Sequence, residues 1–234
     1  MANKLIRFFL VIIFFYASGS SAVEDLIKVY HEAWLAEIEG DEEQALREYE
    51  GVVSIYKEVW GGKIRIPGAE ACVAHSLFQI NEPKYAQYDG IVIRQPQGIM
   101  LEDLTQKITL AHELLEVYEE IGTLRAPRWA IAARCRVGDV YRSFGEVIRT
   151  AECPAECQPY YWRSLPDGDK RKARLQNEYR GFKNRVRDMS KPLYETADTE
   201  YNEALSIADK AGLTTYWSRR AREQIEEIDK FIKD

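Results

Sequence analysis

At 234 residues, with 46% hydrophobic and 30% charged side chains, the chain has enough apolar surface for a real core and too much of it for disorder. Its formal charge of −6 repels phosphate backbones, which argues against general nucleic-acid binding. The length fits one domain or a short array of helical repeats.

The first element reads as a leader. Lys4 and Arg7 precede an apolar stretch from Phe8 to Ala17, and the small residues Ser18–Ala22 follow, with Ser20 and Ala22 in A-x-A-like positions. A bilayer span needs ~20 apolar residues and this stretch has half of that. Residues 1–22 are therefore predicted to be a secretory signal peptide cut after Ala22. The chain is expected to be exported, periplasmic, and without a membrane span after cleavage. Removing Lys4 and Arg7 leaves 30 basic and 38 acidic residues, a charge of −8.

From there the hydrophobic period is helical nearly everywhere. A helix is predicted from Glu24 to Glu39, a turn at Gly40-Asp41, and a second helix from Glu42 to Trp60. Ala45, Tyr49, Val52, Tyr56 and Val59 form one stripe of the second helix, so the pair should close as an antiparallel hairpin, residues 23–60. Residues 61–100 are punctuated by Gly and Pro and read as an irregular connector with a short helix around Ala69–Gln79. The run Asp89–Arg94 could be extended.

Helical order resumes at Leu101 and fills residues 101–234. Leu104, Ile108, Ala111, Leu115 and Tyr118 mark an apolar face that ends at a predicted cap, Gly122. Pro127 opens the next helix, which runs to Arg149 with Trp129, Ala133, Val137, Val140, Phe144 and Ile148 on one face. The small residues Ala130, Ala133 and Gly138 let another helix approach closely. After a loop from Cys153 to Asp169, helices are predicted over Lys170–Met189, Pro192–Ala211 and Thr214–Lys233. In the last pair Tyr201, Ala204, Leu205 and Ala208 should face Trp217, Ala221, Ile225 and Ile228. The expected fold is all-α, an α-solenoid of antiparallel helical hairpins.

Four cysteines occur: Cys72, Cys135, Cys153 and Cys157. In an exported protein Cys153 and Cys157 could close a small disulfide loop, and Cys135 fits a core position. Catalytic motifs are missing from the sequence. His112 and Glu116 share a helix face, but a zinc-peptidase helix carries a second histidine there. His31 and His75 have no nucleophile motif beside them. Gly61-Gly62-Lys63 lacks the spacing of a phosphate loop. No catalytic, cofactor-binding or metal residue is assigned, and no cofactor is expected. The basic run from Lys170 to Arg187 is interleaved with polar residues and reads as a solvated face.

The segment Ala36–Tyr56, with its Gly40-Asp41 turn, Ala45 and Tyr49, resembles a tetratricopeptide repeat; Glu32 and Lys57 depart from that pattern. Phe78, Lys107 and Tyr118 come next, followed by Trp129-Ala130-x-Ala132-Ala133, Arg136-Val137-Gly138, Tyr141 and Phe144. Tyr201-x-x-Ala204-Leu205 and Trp217-x-x-x-Ala221 complete the series. This order is similar to the C-terminal region of large tetratricopeptide-repeat envelope proteins of deltaproteobacteria such as myxobacteria. The resemblance implies a non-enzymatic periplasmic scaffold that binds a protein or peptide partner. A cell-wall hydrolase with two carboxylates across a cleft and a small-ligand-binding helical protein with a closed apolar pocket are the alternatives.

Overall fold

The computed structural model describes residues 21–61, 66, 68–93, 97–155 and 158–232, and no strand occurs among them. The described helices are α1 (Ser21–Glu39), α2 (Glu42–Trp60), α3 (Ala69–Asp89), α4 (Gln97–Thr123), α5 (Pro127–Arg149), α6 (Pro159–Arg163), α7 (Lys170–Ala211) and α8 (Tyr216–Ile232). Most of the predicted signal peptide, residues 1–20, lies outside the described residues.

Local chemistry sets the boundaries. Gly40 takes φ +83° between α1 and α2, and Asp41 caps α2 by accepting from the Gln44 amide at 3.0 Å. Asp169 caps α7 through the Arg171 amide at 2.8 Å. Gly212 ends α7 in the left-handed region, with the Leu213 amide donating to the Ala208 carbonyl at 2.9 Å. Thr215 and Ser218 cap α8 reciprocally, each hydroxyl oxygen accepting from the other residue's amide, at 2.9 and 3.0 Å.

With the five-residue α6 set aside, each helix packs on the one before it and the one after it. In addition α1 touches α3, α3 touches α5, and α5 touches α8. No other pair of described helices approaches at the backbone, although the Phe78 ring of α3 reaches Trp217 of α8, and this near-neighbour pattern is that of a helical-repeat solenoid. The odd-numbered helices α1, α3 and α5, continued by α8, form one layer; α2, α4 and α7 form the other. One core, holding Leu26, Val52, Tyr56, Val73, Leu77 and Leu114, fills the first five helices. A second, around Ile131, Cys135, Tyr201, Ala204, Ala221 and Ile228, joins α5, α7 and α8, with Leu205, Trp217 and Ile225 packed against it. The faces predicted for the last hairpin therefore do meet.

Several expectations are corrected. The predicted irregular connector holds α3, a helix of 21 residues that runs through Pro83. Its buried residues, among them Ala69, Val73, His75, Phe78, Asn81, Tyr85 and Tyr88, are spread around the helix, so no amphipathic period marks it. Ile91, Val92 and Ile93 are not extended strand, and Arg94 lies outside the described residues. The two helices predicted on either side of Pro192 are one helix of 42 residues. An internal proline costs a helix ~3 kcal/mol. Ser190, Tyr194, Ala197 and Tyr201, buried on either side of it, hold α7 together.

Gly122 is helical rather than a cap, because α4 continues to Thr123. The inward face of α4 is also rotated from the predicted stripe. Asp103, Lys107, Leu110, Leu114, Tyr118 and Ile121 are buried, while Ile108 is 49% exposed. A polar group causes the difference. Lys107 Nζ donates to the Tyr88 carbonyl at 2.9 Å and lies 4.2 Å from the Tyr88 ring centroid, so it caps the C-terminal end of α3 from a core position. Val59, placed on the core stripe of α2, is 52% exposed, and Val53 is buried in its stead.

Candidate functional site

The layer of α1, α3, α5 and α8 carries a row of aromatic side chains that crosses from helix to helix. On α1 stands Tyr30, on α3 His75 and Phe78, on α5 Trp129, and on α8 Trp217. His75 stacks on Trp129 with centroids 4.1 Å apart and planes at 15°. Phe78 lies 5.5 Å from Trp129 and 5.4 Å from Trp217. Tyr30 and Tyr49 meet the His75 ring edge-on at 5.6 and 5.1 Å. Tyr30, Trp129 and Trp217 are half-buried, and Arg128 and Tyr216 at the margins are exposed.

The polar groups of the row form one chain of hydrogen bonds. Gln79 Nε2 donates to Glu37 Oε1 at 3.3 Å and sits 3.0 Å from His75 Nε2. An amide nitrogen cannot accept, so His75 Nε2 accepts and Nδ1 carries the ring proton. Nδ1 then donates to the Tyr30 oxygen at 2.8 Å, which leaves the Tyr30 hydroxyl hydrogen for an acceptor outside this chain of bonds. The Tyr49 hydroxyl donates to Glu37. Burial, with a smaller push from the Arg128 charge, lowers the His75 pKa to about 3, so the ring is neutral. Burial likewise raises the tyrosine hydroxyls of Tyr30 and Tyr49 well above their usual range, and lifts the Cys72 thiol to about 12. A thiol at that value is a poor nucleophile.

Further along the layer lies a buried charge cluster. Asp139 is fully buried and accepts from Arg136 Nη1 at 3.1 Å, from the Tyr201 hydroxyl at 2.7 Å and from Arg220 Nη2 at 3.1 Å. The Arg136 guanidinium also grips both oxygens of Glu82, and lies between the rings of Tyr85 and Trp217 at 3.9 and 4.7 Å. Burial opposes the Arg136 charge, but the Glu82 carboxylate outweighs it and the pKa rises above its ordinary value. Two acids and two arginines balance here, tying α3, α5, α7 and α8 together. Both carboxylates are held by arginine, an arrangement suited to fixing register.

The sequence-stated candidates fall elsewhere. His112 Nδ1 and Glu116 Oε1 are 3.4 Å apart on α4, with side chains 75% and 70% exposed. Among the described residues no group of three His, Cys, Asp or Glu is placed to hold a metal ion. Cys153 is disulfide-bonded, and Cys72 and Cys135 are free thiols; Cys157 lies outside the described residues. Cys135 is fully buried, as its core reading expected, and its thiol donates to the Trp217 carbonyl at 3.3 Å. The aromatic row was not assembled from sequence. Tyr30, His75 and Trp217 lie at unrelated spacings, and only the stacking of alternate helices brings them together. A pocket of about 300 Å³ lies at the far end of the layer, lined by Arg142, Glu146, Tyr194, Glu227, Lys230 and Phe231 among others.

No protein-family model matches the chain, and no curated protein is similar to it in sequence. Among solved structures it is similar to the crystal structure of a de novo designed helical repeat protein, at 16% identity and a TM-score of 0.23, over 91% of this chain and 95% of that one. A likeness at that score carries nothing about function.

Proposed function

We propose that the chain is a non-enzymatic scaffold of the bacterial cell envelope, a tetratricopeptide-like solenoid that acts after export and docks a protein or peptide partner along the layer of α1, α3, α5 and α8. The observation that carries this reading is the row of half-buried rings Tyr30, Trp129 and Trp217 packed around the buried His75. Aromatic rings supply large contact area at low entropic cost. Glu37 and Arg128 place opposite charges at the same margin, which suits a peptide backbone carrying both kinds of side chain.

The test is site-specific photocrosslinking in envelope extract, using the chain from Val23 onward. The probe replaces Arg128 on the row or, as a control, exposed Glu223 on α8. A defined adduct from position 128 and none from position 223 supports docking on the row. Equal labelling from both positions, or none from either, refutes it.

A further inference from the structure

One part of the fold is not needed to close either core. Gly138 lies against Tyr201, and Gly145 against Leu193 and Tyr194, which fixes the antiparallel register of α5 on α7. At the same level Tyr194 stacks on Phe231 of α8, with centroids 5.5 Å apart. Both neighbours of α7 therefore run out near Ser190. The first part of α7, from Lys170 to Asp188, extends past them by roughly twenty residues, or ~30 Å at the helical rise. Alongside α7 packs α6, on the connection from α5, and Lys172 Nζ donates to Asp167 Oδ1 of the α6–α7 connection at 2.5 Å.

This overhang reverses the charge of the molecule. Lys170 to Arg187 contains eight basic residues and one acid, Glu178, while the rest of the chain has 24 basic and 37 acidic residues. Arg171, Lys172 and Arg174 are engaged by Asp169, Asp167 and Glu178. Arg180, Lys183 and Arg185 are exposed and have no acidic side chain within 4.0 Å among the described residues. On the connection that leads into the arm, α6 presents Tyr160 and Tyr161, 68% and 43% exposed. At physiological salt the acidic body is screened over ~8 Å, far less than the reach of the overhang.

We infer that the overhanging half of α7, with α6, is an arm that docks the protein on an anionic lipid bilayer. A charged bilayer takes both features together: its phosphates attract the cations, and tyrosine rings settle at the headgroup level. An acidic protein surface would answer the charge alone. A nucleic acid running the length of the arm would continue onto a body that repels it.

The experiment is vesicle co-sedimentation of the chain from Val23 onward, with phosphatidylcholine vesicles that contain or lack about a third phosphatidylglycerol. Binding to the anionic vesicles only, lost at high salt, is expected. Each cation near a charged surface contributes roughly fivefold in partitioning, so the triple variant Arg180→Gln, Lys183→Gln, Arg185→Gln should bind on the order of 100-fold more weakly. Tyr160→Ser with Tyr161→Ser should weaken binding while leaving its salt dependence. Far-UV circular dichroism checks that the variants stay folded. No binding to anionic vesicles, or equal binding by the triple variant, overturns the inference. So does tighter binding to a single-stranded oligonucleotide than to the vesicles, or salt-sensitive self-association in place of vesicle binding.

Discussion

Gly138→Ala should destabilise this protein although alanine is the better helix former. An ideal Cβ at position 138 would lie 2.7 Å from Tyr201 Cε1, 2.8 Å from Cζ and 3.0 Å from Cδ1. Carbon atoms in contact normally sit ~3.5–4.0 Å apart, so the ring would have to retreat by roughly 0.7 Å. Its freedom to do so is small. Tyr201 is fully buried and its hydroxyl is fixed on Asp139 at 2.7 Å. Overpacking of this kind costs ~1–3 kcal/mol, and a strained hydrogen bond to a charged acceptor forfeits part of another ~1.5–3. The helix-propensity gain of ~1 kcal/mol offsets only part of this. A net loss of about 1–3 kcal/mol is expected, or ~2–12 °C in Tm for a chain of this size. Gly122→Ala is the matched control, since its Cβ would find nothing nearer than the Arg134 guanidinium at 3.9 Å. That variant should gain up to ~1 kcal/mol. Urea unfolding followed at 222 nm decides between the signs. A Gly138→Ala protein as stable as the parent would refute the close approach of α5 and α7.

Three further outcomes are expected. Asp139→Asn leaves Arg136 and Arg220 short of a buried anion and should cost ~3–5 kcal/mol in the same unfolding assay; a loss below 1 would remove the cluster from the structural account. His75 resists protonation down to about pH 3, against 6.5 in the unfolded chain, so its contribution is complete above pH 6.5 and is lost as pH falls toward 3. His75→Gln should therefore remove ~2 kcal/mol of the stability difference between pH 7 and pH 5, and an unchanged difference would count against a neutral buried imidazole. Burial raises the pKa of Tyr30, Tyr49, Tyr85, Tyr88, Tyr118 and Tyr201, so the folded state keeps protons that the unfolded state gives up above pH 10. Stability should fall as pH rises past 10, and these six phenols should ionise only with unfolding when absorbance at 295 nm and circular dichroism are followed together.

What the sequence disclosed followed where each residue's environment was local. The turn at Gly40-Asp41, the proline start of α5 and the glycine stop of α7 were legible because caps act through adjacent backbone groups. The close approach at Gly138 and the facing residues of the last hairpin were legible from small residues and helical period. Hidden features needed tertiary contact. Lys107 sits at a core position because the carbonyl end of α3 is there to receive it, so a hydrophobic count turned the face of α4 the wrong way. The α3 helix has no period because its buried side chains point in many directions. Asp139, Glu82, Arg136 and Arg220 become one cluster only when residues 54 to 81 positions apart converge. The candidate row shares that origin, since its members come from four helices.

Near-neighbour packing also makes the molecule a set of springs in series. A force spreading the two ends is carried in turn by each helix pair, and the small rotations at every interface add, so the layer of α1, α3, α5 and α8 can widen or tighten while no single contact moves far. A partner lying along that layer would then meet a surface whose curvature adjusts to it, with the stiffest link at the middle, where Asp139 and its arginines clamp four helices at one point.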